Sequence, residues 1–152
     1  MSNHKVTKAD LALISILVLI IALALAPHIK SMKANYRNIE VKHNCRIVQD
    51  ALEQYALNNN GSYPKYTTEE NSNGKTLIDY LPGQTLLKNP YSQQLTEPEF
   101  FNGKQCGKTQ YKPLIIHNLC ESYVVVGWGK CMETPLIELG NQFPNKLAIN
   151  TN

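Results

Sequence analysis

The sequence contains no CxxC pair, no G-x-S-x-G turn, no P-loop, no G-x-G-x-x-G and no contiguous DxDxDG loop. Without CxxC, a zinc ribbon or a thioredoxin-like site is not expected. The missing nucleophile, phosphate and dinucleotide patterns remove the common hydrolase, kinase and dehydrogenase readings. The missing acidic loop leaves Asp79, Glu97 and Glu99 as scattered oxygen donors for calcium, and solvated carboxylates are the expected reading. His4, His28, His43 and His117 are dispersed, and His117 with Cys120 makes a lone HxxC rather than half of a metal site. No catalysis and no cofactor are expected. Nor does anything after Arg46 combine clustered basic residues with interleaved aromatics, so no nucleic-acid partner is expected.

What is present is bipartite. Residues 11–26 read LALISILVLIIALALA, uncharged, with Ser15 the sole polar side chain. At about 1.5 Å per residue this run covers roughly 24 Å of a ~30 Å hydrocarbon core, and Ala9, Pro27 and Ile29 extend it. Lys5, Lys8, Lys30, Lys33, Arg37, Lys42 and Arg46 against Asp10 and Glu40 make the chain up to Arg46 +5, and the remainder is −2, giving the net +3. Basic groups on both sides of an apolar run suit a lipid-bilayer anchor. Ala24-Leu25-Ala26 has the form of a signal-peptidase site, but cleavage there would put Pro27 first, and the periodic pattern continues past it, so a retained anchor is expected. Counting positive charges leaves either orientation open.

Beyond the anchor, Val41, Cys45, Val48, Leu52 and Tyr55 recur at spacings of four, three, four and three, one stripe of an α-helix made to pack on a sheet. Asn58-Asn59-Asn60-Gly61 supplies a left-handed stop. The helix from about residue 10 to 57 would run on the order of 70 Å, with Pro27 kinking rather than ending it. Residues 61–105 read as loop with one short helix near residues 77–81. Residues 110–117 (QYKPLIIH) and 122–130 (SYVVVGWGK) read as an antiparallel hairpin turning at 118–121, with Pro113 placing the first strand partly at an edge. Four cysteines allow three pairings if all are oxidised, and two disulfides in an extracytoplasmic head account for them most simply; buried thiols in a cytoplasmic protein are the other reading. The hairpin would bring Cys106 opposite Cys131, leaving Cys45 for Cys120.

Several of these segments together resemble a family. Thr7, Asp10, the apolar run and Pro27 have the spacing of the N-terminus of type IV pilins and type II secretion pseudopilins. Residues 51–56 (ALEQYA) followed by Asn60-Gly61-Ser62-Tyr63-Pro64 resemble the end of the long pilin helix and its NGxYP continuation. Leu87-Lys88-Asn89-Pro90-Tyr91 is similar to the LPKNPY segment of many such heads, and residues 123–129 to a core strand. Two positions depart from the pattern: Lys5 stands where the prepilin peptidase cuts after glycine, and Lys8 at a normally apolar position, so a divergent member is implied. The resemblance implies an α+β, pilin-like fold: a leader-like segment 1–9, a transmembrane part of the helix 10–29, an amphipathic part 30–60, and a head 61–152 built on a small antiparallel sheet. It implies a filament subunit in which Asp10, with Thr7, Leu11 and Pro27, serves assembly. Its partners would be copies of itself or other pilin-like subunits and the pilus or secretion assembly machinery. It would be single-pass in a bacterial inner membrane, with the head in the periplasm or on the cell surface. The alternative is a single-pass membrane-anchored extracytoplasmic binding module that does not polymerise.

Overall fold

The computed structural model describes residues 8–130 and 134–140. The chain divides into two units, Met1–Tyr36 and Arg37–Asn152, and one helix, α1 (Lys8–Leu57), contributes to both. In the first unit α1 carries the stretch that, among the described residues, is long and apolar enough to cross a membrane. Its large apolar side chains from Leu11 to Ile29 are all about half or more exposed, so this segment has no protein core of its own. Ser15 turns its hydroxyl onto the Leu11 carbonyl at 2.9 Å, satisfying the one polar side chain of the run within the helix. Helical structure continues through Pro27, whose missing N–H deprives only the Leu23 carbonyl of its usual partner.

In the second unit α1 presents the expected stripe. Val41, Cys45, Val48, Leu52 and Tyr55 are fully buried, each such burial contributing roughly 1.5–3 kcal/mol before ordering costs. The helix stops at the asparagine run. Asn60 and Gly61 take positive φ (54° and 82°), and the Gly61 N–H reaches back to the Ala56 carbonyl at 2.9 Å, closing the end in a Schellman-like turn. Two short 3-10 turns follow, Leu77–Tyr80 and Pro82–Gln84, the first buried through Leu77.

The strands are β1 (Leu87–Lys88), β2 (Leu95–Glu97), β3 (Glu99–Phe100), β4 (Thr109–Ile116), β5 (Leu119–Gly127) and β6 (Ile137–Gly140). β1 and β2 form an antiparallel pair, and a four-stranded sheet has the order β3-β4-β5-β6. The fold is therefore α+β, with one correction: β3 runs parallel to β4, so the sheet is mixed rather than purely antiparallel. β3 meets β4 only at Gln110 and Tyr111, so Pro113 lies on the open part of that edge, where its missing N–H costs no ladder bond.

A second correction concerns the β4–β5 turn. It occupies His117 and Asn118 rather than 118–121, with Ile116 opposite Leu119. Both turn residues have positive φ (48° and 64°), the requirement of a two-residue type I′ hairpin turn. Asn118 is a residue type that accepts that conformation, but no glycine beside it marked the turn.

Side chains on the α1 side of the sheet (Tyr111, Cys120, Tyr123, Val125) complete the main core with the stripe. The opposite side carries a smaller cluster of Val124, Val126 and Trp128 with Phe101 and Leu114. Where α1 crosses β5 the approach is so close that a Cβ on Gly127 would stand 2.6 Å from Cys45 Sγ and 2.9 Å from both Val41 Cγ1 and Ile137 Cγ2. Gly127→Ala is therefore expected to destabilise the head by about 1–3 kcal/mol, the usual cost of overpacking. Adding Cys45→Ala should recover part of that loss. Denaturant titration of the full chain in detergent micelles checks both; a Gly127→Ala protein as stable as the parent would contradict the packing described.

Candidate functional site

The residues expected to serve assembly lie on the first unit. Thr7 falls outside the described residues. Asp10 sits in the first turn of α1, where a carboxylate complements the positive end of the helix dipole. Leu11 beside it is exposed, and Pro27 is inside the helix. These three share one helix.

Two of the cysteines, Cys45 and Cys120, depart from expectation. Cys45, Cys106 and Cys120 are free thiols. Cys45 is buried where α1 meets the open end of the β4–β5 hairpin, 3.9 Å from Thr109 Oγ1 and against Gly127. Cys120 is buried near the turn, 3.8 Å from the Tyr111 hydroxyl and donating to the Ser122 carbonyl at 3.4 Å. Seven residues of extended strand, roughly 23 Å, separate Cys120 from Gly127, whereas a disulfide needs Cα atoms within about 7 Å. The expected Cys45–Cys120 bond is thereby corrected: the stripe register, invisible to elimination among four cysteines, sets Cys45 at the wrong end of β5. Cys106 is exposed, and Cys131, its expected partner, lies outside the described residues. Burial pushes the Cys45 thiol up to about 12 and raises Cys120 as well, so both are neutral and unreactive near neutral pH.

The three scattered carboxylates stay apart. Asp79 accepts from the Thr76 N–H at 2.7 Å and the Thr76 hydroxyl at 2.9 Å, caps the first 3-10 turn, and is held below the usual carboxylate range by those bonds. Glu99 pairs with Lys108. Among the described residues no group of three or more His, Cys, Asp or Glu is placed to hold a metal ion.

Glu97 is different, because it is fully buried and, among the described residues, has no cation against it. Asn44 Nδ2, from α1, donates to Oε2 at 2.9 Å and to the Lys88 carbonyl at 3.0 Å. Asn89 Nδ2 donates to Oε1 at 2.6 Å and to the Gly107 carbonyl at 3.0 Å. Thr109, at the start of β4, adds its N–H and hydroxyl. Each amide thus divides its two protons between the carboxylate and a main-chain carbonyl, which leaves no donor idle. Burial outweighs these donors and raises Glu97 above the usual carboxylate range.

Asn89 also shapes its own loop. Its Oδ1 accepts from the N–H groups of Tyr91 (2.7 Å) and Ser92 (2.9 Å), and its main chain bonds Gln93 and Gln94 at 2.8 Å each. Tyr91 then reaches α1, donating to Asn38 Oδ1 at 2.6 Å with the Arg37 guanidinium 5.4 Å from its ring centroid. A shallow cavity of about 190 Å³ opens beside the cage, lined by Glu40, His43, Asn44, Lys88, Pro90 and Gln93. What the arrangement can do chemically is take up or release a proton at Glu97 while tying α1, the β1–β2 excursion and β4 together. Asn44, Asn89, Glu97 and Thr109 form no linear motif. The one available signal was Asn89 within Leu87-Lys88-Asn89-Pro90-Tyr91, a turn former between apolar residues.

No family model, curated protein or solved structure matches this chain.

The thiol environments give a direct check. In the native full chain a maleimide is expected to modify Cys106 within minutes and to leave Cys45 and Cys120 unmodified until denaturant is added, as read by peptide mass mapping. A non-reduced peptide joining Cys45 to Cys120 would contradict the thiol positions.

Proposed function

We propose that this chain is a structural subunit of a type IV pilus-like or type II secretion pseudopilus-like filament, divergent at its N-terminal processing site. The observation that carries the reading is α1 itself. Helical structure persists from Lys8 through Pro27 to Leu57, with an apolar half that has no core and a second half that supports the head. Exposed apolar side chains along so long a run need a non-aqueous surrounding, first lipid and then, in the filament, neighbouring helices. Asp10 at the edge of that run is costly in hydrocarbon unless partnered. In this reading it meets the amino group of an adjacent subunit and sets the register of the bundle. The Thr7, Asp10 and Pro27 spacing is the second support.

The subunit would be single-pass in a bacterial inner membrane before assembly, with its head in the periplasm or on the surface. Since Cys45 and Cys120 are free thiols, that placement rests on the resemblance and not on disulfides. The partners are further pilin-like subunits and the assembly machinery. A membrane-anchored binding module without a filament is favoured by one feature, the half-exposed Ile115, Ile116 and Leu119 beside the hairpin turn. The adjoining genes separate the two readings: a prepilin peptidase, an assembly ATPase and an inner-membrane platform protein accompany a filament subunit.

Asp10→Ala is the direct test. The variant is expected to reach the membrane fraction at parental levels but to yield at least about tenfold fewer filaments by sedimentation, the factor that about 1.4 kcal/mol per subunit contact provides. Parental filament yield from Asp10→Ala would sink the assembly role.

A further inference from the structure

Glu97 poses a problem that the filament reading does not use. A charge with no measurable exposure and no cation is stabilised only by the dipoles around it, and four donors replace a hydration shell incompletely. The charged and titratable groups near it come from every element packed there. α1 brings Glu40 and His43, which line the neighbouring cavity with Asn44, and the neutral thiol of Cys45. The β1–β2 excursion brings Lys88, whose carbonyl is in the cage while its side chain is exposed. The β4 side brings Lys108, already engaged by Glu99. Among the described residues no ammonium or guanidinium therefore answers the carboxylate in the closed arrangement.

The excursion is tied to the β4 side through the Asn89 bond to the Gly107 carbonyl and through Leu87 in the main core. Between Leu87 and Glu97 it is organised by Asn89 and its own turn, and its polar ties to α1 are the Asn44 bonds and the Tyr91 hydroxyl. The cavity beside Asn44 lies next to the cage, and Lys88 stands at its rim.

We infer that the Glu97 cage is a pH-sensitive latch: with the carboxyl protonated the 87–97 excursion is held on α1, and ionisation releases it toward water and Lys88. One hydroxyl lets the cage accommodate the proton. Thr109 Oγ1, which donates to the carboxylate, can turn to accept from the carboxylic acid, with Cys45 Sγ 3.9 Å away as its other neighbour. The direction follows from linkage. Because Glu97 is raised in the closed form, the stabilisation it lends is fully present below the ordinary glutamate value of 4.5 and is lost as pH rises through the elevated one. The latch is closed in acid and loosens toward neutrality. It does not depend on whether the chain polymerises.

Hydrogen exchange of the full chain in detergent micelles, followed by mass spectrometry between pH 4.5 and 8 and corrected for intrinsic exchange, tests it. Protection of peptides spanning residues 86–98 and 40–48 is expected to fall with pH, by about tenfold for each unit separating the closed and open pKa values. Glu97→Gln should flatten that dependence, whereas His43→Gln, which removes the imidazole lining the neighbouring cavity, should leave it intact. Parental protection that does not change with pH overturns the latch without recourse to any variant. A fall that persists in Glu97→Gln, or disappears in His43→Gln, assigns the effect elsewhere and overturns it as well.

Discussion

Burial of the Val41–Tyr55 stripe takes one face of α1 out of water, and every other element of the head is arranged around that contact. β4 and β5 supply Tyr111, Cys120, Tyr123 and Val125 to meet it, and Leu77 and Leu81 close it from the loop side. Polar groups accompany the contact where they are satisfied at its margin. The Tyr63 and Tyr123 hydroxyls donate to the Glu53 carboxylate at 3.0 and 2.7 Å, and the Tyr111 hydroxyl donates to the Pro64 carbonyl. Burial suppresses ionisation of Tyr111 and Tyr123, so these phenols act as fixed donors.

The same helix carries two apolar patterns. Up to Ile29 its large apolar residues are distributed all round and remain exposed, as a lipid-facing segment requires; from Val41 they collapse onto one stripe. A helix apolar on every side and a helix apolar on one side are different physical objects, and here they are consecutive in one element.

That change of pattern is why α1 and its stripe could be read from the sequence. Periodicity at 3.6 residues is a property of single side chains and needs no knowledge of the partner surface. The Asn60-Gly61 stop and the edge position of Pro113 were readable for the same reason, since each follows from the backbone freedom of one residue. Pairings were less accessible. The 117–118 turn depends on His117 accepting a left-handed conformation, and the parallel β3–β4 pair depends on a two-residue strand with no pattern of its own. The Cys45 position depends on which stripe residue meets which end of β5. The Glu97 cage joins residues 44, 89, 97 and 109, and nothing in linear order places an asparagine of the helix beside a glutamate 53 residues on.

Asn44 also distinguishes the native docking of α1 from its near neighbours. An apolar stripe alone tolerates slippage, because sliding by one turn replaces one buried aliphatic residue with another. Sliding α1 by four residues in either direction would bring Glu40 or Val48 to the place of Asn44. The first opposes Glu97 with a second carboxylate and the second offers it no donor, so either slipped form strands a buried acid. A single amide thus acts as a key for the helix–sheet register, much as one buried asparagine does in a coiled coil.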